Sequence, residues 1–171
     1  MLEFITDSQI YEQVIRDRIP RAKKFVWLAT ATLKDLHVDK PGRKRMVPFL
    51  ETLSDLVAGG VRIRLLYAGE PGPRFQKDFD RYPKLLKGLE QMVCPRVHFK
   101  SVVVDGTFAY SGSANLTGAG MGAKSSSRRN FESAVVTTDK GLVGKIMQQF
   151  DAVWAGKHCK QCNRKQYCAE H

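Results

Sequence analysis

The chain has 171 residues, 43% of them apolar, enough for one domain with a single substantial core and too few for two ordinary domains in tandem. That apolar share excludes a disordered chain, and no apolar run approaches the roughly 18 residues of a membrane-spanning helix. Lysine and arginine outnumber the acids 28 to 17, a net charge of +11 with a sequence pI near 9.7, which creates a field that attracts polyanions such as nucleic acid or an anionic membrane surface. Met1 to Asp7 carries acids where a secretory signal carries bases, so the expected location is the cytoplasm.

From Asp7 to about Ile19, Ile10, Tyr11, Val14 and Ile15 recur at helical spacing, with Thr6 or Asp7 as N-cap and Pro20 near the end. Lys24 to Thr30 reads as a buried strand, and the basic stretch Lys34 to Arg45, broken by Pro41-Gly42, reads as a loop. Pro48 suits a first helical turn, Leu50, Leu53, Leu56 and Val57 share a helical face, and Gly59-Gly60 stops it. Val61 to Tyr67 is a second strand, followed by a breaker from Gly69 to Pro73 and a helix expected in the second half of Phe75 to Glu90. Val97 to Val104 is a strand, Asp105-Gly106 a hairpin turn, Gly112 to Asn130 a glycine- and serine-rich loop, and Phe131 to Thr137 another strand. From Asp139 a last helix aligns Val143, Ile146, Met147, Phe150 and Trp154. Strands alternating with helices predict an α/β fold, a mixed sheet flanked by helices on both faces, with a domain over residues 1–156 and a short cysteine-rich tail over 157–171.

Strand alternation places His98 and Lys100 on one side, about 7 Å apart along the chain. Beyond the hairpin, the short polar side chains of Ser113 and Asn115, with backbone N–H groups freed at Gly112, suit oxyanion binding. His98-Phe99-Lys100, Asp105 after four residues, and Gly112-Ser113-Ala114-Asn115 after six more resemble the signature of the phospholipase D superfamily, in its single-motif, nuclease-like branch. Asn130 to Val136 looks like the downstream segment in which that family carries a histidine-orienting acid. The resemblance implies a phosphodiesterase that needs no metal for catalysis and works through a phosphohistidine. His98 would attack phosphorus, Glu132 would orient its ring, and Lys100, Asn115 and Ser113 would hold the non-bridging oxygens. Asp105 is expected to position the motif first, since Asp-Gly is what a tight turn favours.

The family's chemistry takes two histidines, and this chain has one such signature. His37 lacks a lysine two residues on, and His158 and His171 sit among cysteines, so a homodimer that brings two His98 side chains together is expected. The basic segment around Lys124, Arg128 and Arg129 is expected to contact a polyphosphate backbone.

Cys159, Cys162, Cys168 and His171 offer three thiolates and an imidazole over thirteen residues, with His158 as an alternative nitrogen donor. Such clustering in a reducing compartment points to a structural zinc ion ahead of an iron–sulfur cluster. Cys94 reads as a small, partly buried residue. Charge favours nucleic acid, DNA or RNA, over lipid, making an endonuclease the first expectation, a cardiolipin-type phospholipid hydrolase the second, and a nucleic-acid binding module without turnover the third.

Overall fold

A computed structural model of the chain, which describes residues 1–34 and 36–168, is built on a seven-stranded mixed sheet. The strands are β1 (Leu2–Thr6), β2 (Phe25–Thr30), β5 (Arg62–Tyr67), β6 (Leu89–Val93), β7 (Lys100–Val104), β8 (Phe108–Gly112) and β9 (Ser133–Thr137), in the spatial order β1-β9-β8-β7-β2-β5-β6. β2, β5 and β6 run parallel, whereas β7 pairs antiparallel with β2 and all pairs from β7 to β1 are antiparallel. The direction of pairing therefore reverses at β2. Crevices at such switch points, beyond the carboxyl ends of the strands, are where open α/β sheets hold their ligands.

Alternation within the strands divides the core between the two faces. Val26, Leu28, Ile63, Leu65, Val102, Val104 and Tyr110 point to the face covered by the first helix and by α2 (Phe49–Ala58), meeting Ile10, Val14, Leu50 and Leu53. Val103 and Ala109 point the other way, against Val143 of α5 (Lys140–Trp154), and Trp27 stacks on Phe150 of the same helix with ring centroids 4.9 Å apart. Asp139 caps α5 by accepting a hydrogen bond from Leu142 N at 2.9 Å. Helices thus flank the sheet on both faces, as the alternation of elements predicts.

Several boundaries differ from the sequence expectation. The first helix opens as α1 (Ser8–Ile10), runs on as a π-helix (Tyr11–Arg18), and ends in a 3-10 turn (Ile19–Arg21) that takes in Pro20. Asp7 does not cap it: its backbone has a φ of 48°, and Gln9 Oε1 instead accepts from Thr6 N at 3.0 Å. The basic loop contains a small hairpin, β3 (His37–Val38) and β4 (Val47–Pro48), whose Pro48 stands just ahead of α2. Helix between Phe75 and Glu90 lies mainly in the first half, as α3 (Pro73–Phe79), because Pro73 starts a helix as readily as it breaks one. Only a short α4 (Leu85–Gly88) follows, and Leu89 onward forms the edge strand β6. β7 begins at Lys100, so His98 sits on the approach to the strand, and β9 begins at Ser133, leaving Phe131 and Glu132 outside it.

Candidate active site

The β7–β8 hairpin carries the signature. Lys100 and Gly112 are cross-strand partners, and β7 runs beside β2 with Ser101 opposite Ala29, so Lys100 stands between Gly112 and the Thr30 end of β2. Lys100 is 7% exposed, and its ammonium donates to the His98 carbonyl at 2.6 Å and lies 3.5 Å from both ring nitrogens of the exposed His98. A buried cation needs polar partners, and this one has a single carbonyl and an imidazole, which leaves donor capacity for an anion.

Asn115 is held by a residue the sequence did not single out. Its Oδ1 accepts from Thr32 N at 3.0 Å and lies 3.3 Å from Thr30 Oγ1, whose one proton is shared between it and Thr32 O at 2.8 Å, while Thr30 Oγ1 accepts from Leu116 N at 2.9 Å. Thr30 is 1% exposed at the carboxyl end of β2, and this bonding turns the amide so that its donor end is the one left for a ligand. Gly112 is required by close packing: a Cβ there would lie 2.4 Å from Ala134 Cβ and 2.8 Å from the Tyr110 hydroxyl. Burial, helped by the Glu132 carboxylate, pushes the Tyr110 phenol well above its usual range, so it stays neutral beneath this turn.

Glu132 lies beside Ser113 rather than His98. The Ser113 hydroxyl donates to Glu132 Oε2, and Asn130 Nδ2 donates to Oε1 at 3.0 Å. Asp7 fastens the segment, accepting from Glu132 N at its carboxylate and donating its own N–H to the Glu132 carbonyl, both at 3.0 Å. The expected Glu132–His98 hydrogen bond is not formed within the described residues, where Ser113 and Asn130 are the side-chain partners of the carboxylate.

Asp105 stands at the far end of the hairpin. Its carboxylate accepts from Lys23 N, Lys24 N and Phe25 N at 2.7 to 3.0 Å, and its φ of 54° with Gly106 at 68° forms the tight turn. Burial alone would raise its pKa, but those backbone N–H groups outweigh burial and hold the carboxyl below its usual value. It clamps the start of β2 to the hairpin and is remote from His98.

A cleft of about 390 Å³ opens beside Asn115 and is lined by Lys34, Lys124, Thr32, Thr117 and Asn130. It brings Lys124 to the site and adds Lys34, which the sequence shows only as part of a basic loop. Arg128 and Arg129 do not line it; their backbone N–H groups both bond to Ser125 O, in a turn on the surface.

The cysteine tail sits elsewhere, against the β6–β7 connection, where Cys168 Sγ donates to Val93 O at 3.9 Å. The Arg164 N–H and the nearby Arg96 guanidinium hold the Cys162 thiol below its usual pKa. His171 lies outside the described residues. Among the described residues no group of three or more His, Cys, Asp or Glu side chains is arranged to hold a metal ion.

Comparison with known proteins agrees with the motif. Residues 15–154 match the family described as "Cardiolipin synthase, PLD-like domain". No curated protein matches the chain in sequence. Among solved structures it is similar to Nuc from Salmonella typhimurium, a phospholipase D family member, at 15% identity and a TM-score of 0.65, covering 91% of this chain and 94% of that one. It is similar to NucT from Helicobacter pylori at 13% identity and a TM-score of 0.63, over 88% and 94% of the two chains. The archaeal chromatin protein TrmBL2 shares the fold at 13% identity and a TM-score of 0.59, over 90% of this chain and 52% of its own. A match to the family over most of the length, a mixed sheet in the same arrangement, and His98, Lys100 and Asn115 gathered at one end of it make this chain a member of the phospholipase D-like family.

Proposed function

We propose that the protein is a nucleic-acid phosphodiesterase, an endonuclease whose site is completed by a second copy of the chain. The observation that carries this reading is that Lys100, with its ammonium against the His98 ring, stands at the same end of the sheet as Asn115, which lines a cleft whose charged lining residues are both lysines. A strand of nucleic acid is a run of phosphodiesters, and a basic cleft at the Asn115 end of the hairpin suits it. TrmBL2, which shares the fold, is a chromatin protein for which a mode of DNA binding is described.

In the first step a ring nitrogen of His98 attacks phosphorus, forming a P–N bond as the bond to the leaving oxygen breaks. Lys100 and the Asn115 amide donate to the non-bridging oxygens as charge builds there, with Ser113 at the rim. The leaving oxygen takes a proton from a second imidazole. Among the described residues that imidazole is not in this chain, since His37 lies on β3 and His158 lies among the cysteines. His98 of a second copy supplies it, then takes a proton from the water that attacks phosphorus and releases His98. Glu132 acts on this centre through Ser113. Metal enters none of these steps, and the tail cysteines are reserved for a structural zinc ion.

The test is cleavage of labelled single- and double-stranded DNA and RNA in excess EDTA by wild type and His98→Ala, with light scattering on the same samples. Cleavage by a dimeric wild type alone supports the reading, and an active monomer overturns the shared site. A second reading, a phospholipid hydrolase, is favoured by Phe131, which is 96% exposed next to Glu132 and offers an apolar approach. Hydrolysis of cardiolipin vesicles with every nucleic acid left intact would select it, and binding of nucleic acid without turnover would leave a binding module.

A further inference from the structure

All four cysteines of the chain border a single cavity of about 260 Å³, although Cys94 is 65 residues from the nearest of the other three. His158 and Arg96 share its lining. Cys94 is held firmly at the end of β6: its N–H donates to Tyr67 O at 2.8 Å, and its carbonyl accepts from Val97 N at 2.9 Å. The tail is brought to it by a chain of turns. Gly156, with a φ of 67°, reverses the chain after α5, and a Cβ at that position would lie 3.4 Å from Cys159 Sγ. Cys159 N then bonds to Gly156 O at 2.9 Å, Cys162 N to Cys159 O at 3.1 Å, and Cys168 N to Lys165 O at 3.0 Å.

These turns have little else to hold them. Every tail residue from Lys157 to Tyr167 other than Cys159 and Cys162 is exposed, Tyr167 to 69%, so the half-buried side chains are the cysteines themselves. A segment with no apolar core orders when something binds its buried groups, and four thiols on one small cavity are the donor set of a tetrahedral zinc site. Arg164 N already donates to Cys162 Sγ at 3.4 Å, the kind of backbone hydrogen bond that supports a thiolate. The four sulfurs edge the cavity without converging, so binding has to turn the side chains inward until each sulfur lies about 2.3 Å from the ion. Arg96 and the tail lysines would offset the net negative charge of four thiolates around a dication.

We propose that Cys94 joins Cys159, Cys162 and Cys168 as the four ligands of one structural zinc ion that clamps the tail to the β6–β7 connection. The proposal rests on the reading that the tail binds zinc and deepens it by moving the fourth ligand from a tail histidine to the folded domain. The clamp would grip the chain four residues ahead of His98. In this way the tail would steady the approach to the nucleophile without touching substrate.

The experiment uses the full chain, reduced and loaded with zinc, and compares wild type with Cys94→Ser, Cys162→Ser, His158→Ala and His171→Ala. Zinc per chain is measured by elemental mass spectrometry, and affinity by competition with a chromogenic chelator. One zinc per wild-type chain is expected, with affinity reduced by at least about a hundredfold in both cysteine variants, more than loss of an outer-shell partner causes, and unchanged in both histidine variants. Alkylation of the wild type followed by peptide mass spectrometry gives a second readout that needs no variant to fold: zinc should protect Cys94 together with the tail cysteines, and a chelator should expose all four. If Cys94 alkylates equally with and without zinc, or if a histidine variant loses zinc while Cys94→Ser keeps it, the ligand assignment is overturned and the tail-zinc reading survives. A wild-type chain that binds no zinc overturns both.

Discussion

The two ends of the β7–β8 hairpin belong to one sequence signature and do opposite things with their polar groups. At the turn, the Asp105 carboxylate is saturated by backbone N–H groups of Lys23, Lys24 and Phe25. At the open end, the Lys100 ammonium has one carbonyl and a loosely placed ring, and the donor end of Asn115 is left over. Satisfied groups stabilise a fold, whereas buried groups left with spare capacity are what binds a charged ligand. The same spacing therefore encodes a staple and a site, and substitutions at the two ends should separate stability from turnover.

The sharpest separation should come from His98→Ala. Loss of a nucleophile costs turnover on the order of 10⁴-fold, and because His98 is exposed the melting temperature should barely move. Mixing wild type with an excess of the variant, with time for chains to exchange, should also quench the wild type, because each mixed pair lacks one of its two imidazoles. Full activity in such mixtures would break the shared-site reading while leaving His98 as nucleophile.

Asp105→Ala should show the reverse. Removing the acceptor of those backbone hydrogen bonds should destabilise the fold by roughly 2–3 kcal/mol, read from urea denaturation, while the folded fraction keeps its turnover. Because the folded-state pKa of Asp105 is depressed, its contribution is present above the unfolded carboxylate value of about 3.9 and is lost as pH falls through the folded value. The gap between wild type and variant should be full at pH 7 and narrow on acidification below about pH 4. A gap that does not depend on pH would assign the effect to packing instead.

How much of this was legible beforehand depended on whether the signal was local. His98, Lys100 and Gly112 to Asn115 could be read from spacing because a hairpin makes sequence distance into spatial distance. Thr30 could not, since a threonine ending an apolar run is an ordinary strand residue and its bond to Asn115 spans 85 positions. β6 was hidden because Leu89 to Val93 mixes polar and apolar residues at the sheet edge and pairs in parallel with a distant strand. Cys94 was likewise mute until the fold carried the tail to it. Glu132 was found by its motif, but its bond to Ser113 depends on Asp7 at the other end of the chain.

Thr30 offers a finer cut between the two ends. Thr30→Val keeps the shape and removes the hydroxyl that orients Asn115, so kcat should fall about tenfold with KM little changed, the pattern of an interaction strengthened in the transition state. Thr30→Ser should restore most of it. Equal losses in both variants would point to packing at the end of β2 and remove Thr30 from the positioning of the site.

The smallest effect should separate two groups of basic residues that look alike in sequence. Lys34 and Lys124 line the cleft at Asn115, while Arg128 and Arg129 sit on a surface turn outside it. Each cation that neutralises a phosphate contributes about 0.7 to 0.9 to the slope of log affinity against log salt. Lys34→Gln and Lys124→Gln should each flatten that slope by about this amount on single-stranded DNA and weaken binding several-fold in moderate salt. Arg128→Gln and Arg129→Gln should change it less, because charges beyond the cleft act through screened solvent over distances near the Debye length. If the arginine variants flatten the slope as much as the lysine variants, the strand must leave the cleft across the Ser125 turn, and the surface loop joins the binding site that its sequence first suggested.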